Sequence, residues 1–425
     1  MSELFEETSI GGMTLRNRFV RSATWEGLAN RDGSVTRKLM EMMVDLARGK
    51  VGLIISSYAF VSAEGQSSSG QLSVHDDRFL PGLRDMAQAV HAAGGKMALQ
   101  LGHGGCNANP ELTGSELIGP SAVEQDDRII CRSASTEDIS TIISDFARAA
   151  GRAKQVGFDA IQIHAAHGFL LSQFLSPAFN RRKDMYAGPL ENRVRLLLQV
   201  IKGVRESVGP QYPILVKLNS EDFLKCGMTS EESIRVACML EKASVNAIEL
   251  SGGTVVSSEK LIPSRPGRLT NPDQEVYYRE VALLYKQKVS LPLMLVGGIR
   301  SYDIAEELVR SGLADYISMS RPLICNPYLV RNWLDGDRGP SECISDNACF
   351  MPASDGMGTY CLTTANKQKN LTDSWRKQEH DGSNQQNELD EGPIGKGNVF
   401  SFPYPHNPVW SSAQDSPKEH RAIAR

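Results

Sequence analysis

Several features that would place this chain in a membrane, on nucleic acid or outside the cell are missing from its sequence. Its apolar runs, such as VGLIIS and LPLMLV, are far shorter than the roughly 20 residues of a membrane-spanning helix. The first residues, MSELFEETSIGGMTLRNRF, lack the apolar core of a signal peptide. The formal net charge is −4, and no basic stripe predicts a nucleic-acid surface. We therefore expect a cytoplasmic protein with neither a membrane nor a nucleic-acid partner.

Cysteines are also few, and their spacing does not suggest a disulfide framework. Eight occur in 425 residues. In an intracellular protein, scattered cysteines are most simply small buried side chains or loop thiols. The scattered ones are Cys106, Cys131, Cys226, Cys238 and Cys325, whereas Cys343, Cys349 and Cys361 are clustered.

Short apolar runs that alternate with amphipathic segments make up most of the chain. Eight runs are mostly apolar, as expected of strands buried on both faces. They span residues 18–22, 51–56, 96–101, 159–164, 213–218, 247–251, 292–296 and 316–320. The intervening segments have the i, i+3, i+4 spacing of helices. We therefore predict an α/β fold, a (β/α)8 TIM barrel. A doubly wound sheet is the alternative, but no Gly-rich fingerprint follows the first strand.

Composition divides the chain into three parts. The alternating pattern occupies residues 1–340, which we assign to the barrel. Residues 341–369 form a short extension with the clustered cysteines. Residues 370–425 are polar and cannot bury enough apolar surface to offset the entropy of ordering, so we expect a disordered tail.

Polar residues and glycines follow the predicted strands, at the end of a TIM barrel where catalysis takes place. Gly297, Gly298 and Arg321 after the last two strands suggest a phosphate site, the alternative being a tight turn and a surface arginine. Lys217 ends an apolar strand. It could form a Schiff base, stabilise negative charge on a cofactor, or extend to solvent.

Two of the eight histidines, His164 and His167, lie at the fourth strand end. Three roles are open for the pair. The histidines could be metal ligands, a general base with the residue that orients it, or two hydrogen-bond donors to an anionic or carbonyl oxygen. Side chains three apart on a strand point to opposite faces, so the pair can act together only if the chain turns after His164. A metal site needs further ligands, and no HExxH pattern is present.

Six motifs along the chain resemble those of the old yellow enzyme family. They are LRNRFVRSATWEG, ALQLGHGG, LVKL, LVGGIR, SMSRPLICNP and the long stretch HAAHGFLLSQFLSPAFNRRKDMYAGPLENRVRLLLQVIKGVRESVG. The resemblance covers Glu3 to Arg338 and is nearest to the barrel of the 2,4-dienoyl-CoA reductase and trimethylamine dehydrogenase branch. It implies an FMN-dependent NADH:flavin oxidoreductase with NAD(P)H as reductant and a small-molecule substrate.

The resemblance also implies roles for individual residues. The oxygen of the substrate would lie against His164 and His167. The residues implied for cofactor binding are Ala23, Thr24, Trp25, Tyr58, Gln100, Lys217, Gly297, Gly298, Ser320 and Arg321.

Two features depart from the family pattern. Where members commonly carry a proton-donating tyrosine, this chain has Phe169, so Tyr58 and Tyr186 become the candidate donors. The [4Fe-4S] motif of the branch is incomplete, and we expect no working cluster. Weak candidates for zinc or a labile cluster are Cys343, Cys349 and Cys361, with Asp346 as a substitute ligand.

The favoured function is hydride transfer from NAD(P)H to an activated alkene, as in an ene reductase of enones or enoates. Alternatives are oxidation or demethylation of a small amine or alcohol, and a degenerate flavin-binding barrel that acts as an interaction module. The loop 255–274 carries Arg265 and Arg268 and could select an anionic substrate. The sequence leaves the choice of NADH or NADPH open, and also whether the chain forms a homo-oligomer.

Overall fold

A computed structural model describes residues 2–126, 128–269 and 271–367, so the predicted tail lies outside the described residues. Eight parallel strands form a closed barrel in chain order, which confirms the predicted fold. The strands are β1 (Phe19–Arg21), β2 (Leu53–Phe60), β3 (Met97–Gly102), β4 (Ala160–Ala165), β5 (Ile214–Asn219), β6 (Ala247–Ser251), β7 (Leu293–Val296) and β8 (Tyr316–Met319).

Helices of the predicted amphipathic segments cover the outside of the barrel. They are α1 (Arg37–Arg48), α2 (Leu80–Ala92), α3 (Thr136–Gln155), α4 (Arg195–Val208), α5 (Ser230–Lys242), α6 (Arg279–Lys288) and α7 (Tyr302–Arg310). A further helix, α8 (Leu329–Leu334), was not among the predicted segments. Several begin at a side-chain cap. The Ser135 hydroxyl, for example, accepts from the Asp138 backbone N–H before α3, while the Asp138 carboxylate accepts from the Ser135 N–H. In the described residues no helix has the length and apolarity to cross a bilayer.

Smaller elements lie between these units. Short helices span Pro110–Thr113, Leu170–Leu175, Leu190–Arg193, Arg321–Cys325 and Met351–Ser354, and 3-10 turns span Glu3–Phe5, Ala63–Gly65, Asp77–Phe79, Gly105–Asn107, Pro272–Gln274 and Ala348–Phe350. A three-stranded sheet consists of Leu117–Gly119, Val123–Gln125 and Arg128–Ser133.

An N-terminal hairpin, Thr8–Ile10 with Met13–Leu15, closes one end of the barrel. Ile10, Met13 and Leu15 pack in one cluster with interior residues such as Leu53 and Leu215. Because this end is filled by apolar side chains, the opposite end, where the strands end, is the one available for a site.

Two sequence expectations need correction. The second strand does not end at Ser56 but continues to Phe60, with a register shift between Ile55 and Tyr58, so Tyr58 lies inside β2. Cys106 and Cys131 are not separate buried thiols but form a disulfide with their Cα atoms 5.5 Å apart. This disulfide could not be predicted from the sequence, because its two cysteines lie in different elements, a 3-10 turn and a strand of the small sheet.

Candidate active site

A cleft with about 880 Å³ of empty space, part of it open to solvent, lies at the ends of the barrel strands. This size suits a small-molecule ligand. The cleft brings together many of the residues singled out from the sequence, namely Ala23, Thr24, Trp25, Tyr58, Gln100, His164, His167, Phe169, Lys217 and Ser320. Its remaining lining residues are Ser22, Ser251, Val255, Ile262, Pro263, Ser264, Val296 and Phe350.

A second cavity adjoins the cleft and shares Pro263, Ser264, Val296 and Ser320 with it. Gly297, Gly298, Arg300 and Arg321 line this second cavity. The two glycines have φ angles of 122° and 76°, a region that other residues rarely adopt. The predicted phosphate-binding residues therefore lie together, in a chamber next to the main cleft.

The two histidines face each other because the chain turns after β4. His164 is in the strand, whereas His167 lies two residues beyond the strand end with φ 66°. Their ring centroids are 5.2 Å apart and the rings meet edge to face. The turn is held by Asn219 at the end of β5, whose Oδ1 accepts from the His167 backbone N–H at 3.1 Å. Ser251, at the end of β6, lies with its Oγ 2.8 Å from His167 Nε2.

Both imidazoles are neutral at physiological pH. Burial, with a smaller contribution from Lys217, lowers the pKa of His164 to about 3. Burial, then the nearby His164 and Lys217, lowers the pKa of His167 well below its usual range. Nδ1 of His164 is buried and has no hydrogen-bond partner within the protein. An unsatisfied buried nitrogen of this kind costs about 1–3 kcal/mol, so a ligand oxygen that pairs with it would be stabilised.

Phe169 packs directly on His164 and Tyr58. Its ring centroid lies 5.0 Å from that of His164 and 5.1 Å from that of Tyr58. Of the two candidate proton donors, Tyr58 lines the cleft. Tyr186 does not line it and instead packs against Phe174, with ring centroids 6.4 Å apart. The structure therefore brings only one of these two phenols to the histidines.

Lys217 has a buried partner that the sequence argument did not identify. Its Nζ lies 3.2 Å from Glu249 Oε2 and donates to Ser22 Oγ at 2.8 Å. Burial would raise the pKa of Glu249, but Lys217 and hydrogen bonds from neighbouring side chains outweigh it and lower the pKa. The ion pair explains how a lysine can lie 3% exposed in the barrel mouth.

The same carboxylate links the ion pair to Gln100 across the barrel. Gln162 Nε2 donates to Glu249 Oε2 at 2.9 Å, and Gln100 Nε2 donates to Gln162 Oε1 at 2.6 Å. Ser318 Oγ donates to Glu249 Oε1 at 2.6 Å. The only sequence signal for Gln162 and Glu249 is that each interrupts an otherwise apolar strand.

The extension completes the cleft from outside the barrel. Arg321 Nη1 donates to the Arg265 carbonyl at 2.9 Å and to Asn347 Oδ1 at 2.8 Å. This anchors the segment that places Phe350 in the cleft lining. Phe350 was not expected at the site, since nothing in its local sequence marks it.

The loop 255–274 reaches the cleft with Val255, Ile262, Pro263 and Ser264. Arg265 turns away, and its guanidinium carbon lies 4.7 Å from the ring centroid of Tyr277. Arg268 is exposed and also does not line the cleft. The expected selection of an anionic substrate by these arginines finds no support, because the aromatic ring attracts the Arg265 cation instead.

None of the clustered cysteines lines the cleft, whereas Cys343 lines the phosphate chamber. Asp346 lines a small cavity together with Cys343, Cys349 and Cys361. Its carboxylate accepts from the Ala348 backbone N–H at 3.1 Å and from the Thr363 hydroxyl at 2.9 Å. Across the described part of the chain, no group of three or more His, Cys, Asp or Glu side chains is arranged to hold a metal ion.

The two cavities suit a flat, polar heterocycle that carries a phosphate. The cleft offers an amide and an ammonium group from Gln100 and Lys217 among apolar walls, and the adjoining chamber offers two arginines and two glycines. The imidazoles of His164 and His167 add further polar groups to the cleft lining. FMN has this combination of a conjugated ring and a phosphate, and the donor set fits it.

Comparisons with known proteins agree with this geometry. The profile of the NADH:flavin oxidoreductase / NADH oxidase family matches residues 3–336. An NADH oxidase of Thermoanaerobacter brockii is 36% identical over 354 residues, which cover 81% of this chain and 52% of the relative. An NADPH dehydrogenase of Listeria welshimeri is 34% identical over 334 residues, which cover 78% of this chain and 94% of the relative.

Among solved structures, a 2-naphthoyl-CoA reductase in complex with 2-naphthoyl-CoA has a TM-score of 0.75 and 27% identity. The match covers 82% of this chain and 54% of that one. The chain thus spans about half the length of this reductase and of the NADH oxidase.

Proposed function

The chain belongs to the NADH:flavin oxidoreductase / NADH oxidase family, and from this premise we propose that it transfers hydride from NAD(P)H to an alkene activated by a carbonyl group. FMN, when bound, supplies the hydride carrier between the two substrates. Gln100 and Lys217 would hold the polar edge of its ring, and Gly297, Gly298 and Arg321 its phosphate.

The histidine pair carries this proposal. His164 and His167 line the cleft as neutral imidazoles, and Nδ1 of His164 lacks a partner. Neutral imidazole N–H groups would donate to the carbonyl oxygen of the substrate and stabilise the negative charge that develops there. This charge withdrawal makes the β-carbon of the alkene a better hydride acceptor.

Protonation of the α-carbon is the second requirement. Phe169 has no acidic proton, whereas Tyr58 carries a phenol at the cleft, with its ring centroid 5.7 Å from that of His164. We propose Tyr58, or water that reaches the cleft, as the proton source.

The lining favours an uncharged, largely apolar substrate. Trp25, Phe169, Ile262 and Phe350 supply apolar surface. Among the described residues of the lining, Lys217 is the one with a formal charge at neutral pH, and Glu249 already neutralises it. A carboxylate substrate would therefore meet no uncompensated cation in the cleft, so we favour a neutral enone over an enoate.

An anaerobic titration of the full-length protein tests the proposal. The purified protein should absorb as a flavoprotein, and NADH or NADPH should bleach it. Cyclohexenone should then restore the absorbance, whereas the saturated control cyclohexanone should not. Failure of cyclohexenone and of other enones to restore it would refute alkene reduction. Bleaching by a small amine or alcohol without NAD(P)H would favour the alternative oxidation, which the apolar surface of Phe169 also suits.

A further inference from the structure

A second cluster of reactive side chains lies where the extension packs against the barrel. Cys325 ends the short helix after β8, and three cysteines of the extension converge on it. Together they line one small cavity, the four members being Cys325, Cys343, Cys349 and Cys361. In the sequence Cys325 was grouped with the scattered cysteines, so this convergence is a tertiary feature.

The four thiols fall into two pairs that differ in accessibility. Cys343 and Cys349 are 9% and 7% exposed, and burial raises the pKa of both, that of Cys349 to about 12. Cys325 and Cys361 are partly exposed. Cys325 also lines a wider cleft on the outer side of the extension. A reagent from solvent would therefore reach this second pair first.

Cys325 and Cys361 also contact the same side chain, that of Thr364. The Thr364 hydroxyl donates to Cys361 Sγ at 3.2 Å, and its oxygen lies 3.4 Å from Cys325 Sγ. Because the Thr364 hydroxyl donates to Cys361 Sγ, it stabilises the thiolate form of that sulfur. Cys325 Sγ lies at the same hydroxyl oxygen, so it is placed to attack a mixed disulfide on Cys361.

We propose that Cys325 and Cys361 form a dithiol site that exchanges with small-molecule disulfides. The Cys361 thiolate attacks one sulfur of RSSR, whose S–S bond breaks and releases one thiolate as RSH after protonation. The Cys325 sulfur loses its proton and attacks Cys361 of the mixed disulfide, which releases the second RSH. Two protein thiols are oxidised to one disulfide while RSSR is reduced to two RSH.

Mass spectrometry of the full-length protein after exposure to glutathione disulfide tests this site. Wild type should lose two hydrogens and two free thiols, and peptide mapping should find Cys325 joined to Cys361. In Cys325→Ser the reaction should stop with one glutathionyl group on Cys361. In Cys361→Ser, Cys325 should stay a thiol. These readouts are independent of turnover, so they stand or fall separately from the proposed hydride transfer.

Cys238→Ser is the matched control, because Cys238 is partly exposed but its sulfur donates to the Lys288 carbonyl, away from the cavity. It should form the crosslink as wild type does. Circular dichroism melting of each variant shows whether it folds. A disulfide between Cys343 and Cys349, or equal glutathionylation of Cys325→Ser and Cys361→Ser, would overturn the proposal.

Discussion

Replacement of Glu249 by glutamine removes the charge that compensates Lys217 and keeps the shape of the side chain. The two partners are 0% and 3% exposed, and their charged atoms lie 3.2 Å apart. At an effective dielectric constant of about 20, this separation corresponds to an attraction of about 5 kcal/mol. Part of that attraction offsets the desolvation of both ions, and removing one partner of a buried pair typically costs about 3–5 kcal/mol.

Hydrogen bonding adds a second contribution to the cost. Each carboxylate oxygen of Glu249 accepts from a neighbouring side chain, Ser318 on one side and Gln162 on the other. An amide can accept at only one of these positions, which leaves a donor unsatisfied. We therefore expect Glu249→Gln to lower the free energy of unfolding by about 3–5 kcal/mol, measured by urea denaturation.

Glu41→Gln is a matched control. Glu41 forms an ion pair with Arg37 at 2.7 Å, but the side chains are 57% and 90% exposed. The loss should be about 0.5 kcal/mol or less. A double variant, Glu249→Gln with Lys217→Met, should lose less stability than the sum of the single variants. The reasoning fails if Glu249→Gln costs no more than Glu41→Gln.

The same pair predicts a pH dependence. The folded protein lowers the pKa of Glu249, so its stabilisation is present above the unfolded value of about 4.3 and is lost as pH falls through the folded pKa. The stability difference between wild type and Glu249→Gln should therefore be constant near neutral pH and shrink in acid. A difference that grows in acid would contradict this sign.

Further predictions concern the cleft. His164→Leu should slow enone-driven reoxidation of the reduced protein by about 10²-fold or more in stopped flow, whereas His91→Leu, at the end of α2, should not. Phe169→Tyr should raise the rate of alkene reduction, and a rate unchanged in this variant would indicate that proton supply is not limiting. Gly298→Ala should weaken FMN retention and lower the stability of the protein, because a Cβ at this position would lie 2.5 Å from the Tyr277 ring. Gly12→Ala is the control, since Gly12 also has a positive φ but a Cβ there would meet nothing within 4 Å. It should show only a backbone cost of about 1–3 kcal/mol.

Much of the fold could be predicted because its signals are local. Each strand of a parallel barrel is covered on both faces, so its sequence is mostly apolar, and each helix shows its own periodicity. Since the catalytic end of every strand lies at the same end of the barrel, residues such as Gln100, His164 and Lys217 could be assigned to one site without coordinates.

The positions of individual side chains at the site could not all be predicted from the sequence. Tyr58 was expected after a strand end, yet β2 runs past it because a bulge after Ile55 lets the strand continue. Tyr186 was offered as a proton donor from its residue type alone, and packing against Phe174 keeps it outside the cleft. Residue chemistry nominates candidates, but only packing decides which of them reach the ligand.

By itself the sequence determined the barrel, the end of it that carries chemistry, and most of the polar residues there. Only the tertiary structure paired Lys217 with Glu249, turned His167 back toward His164, and brought Cys325 and Cys361 to one cavity beside Thr364. The physical reason is that these contacts depend on the register between neighbouring strands and on how loops pack across the barrel mouth. Both are set by interactions among residues distant in the chain, which leave no periodic trace in the local sequence.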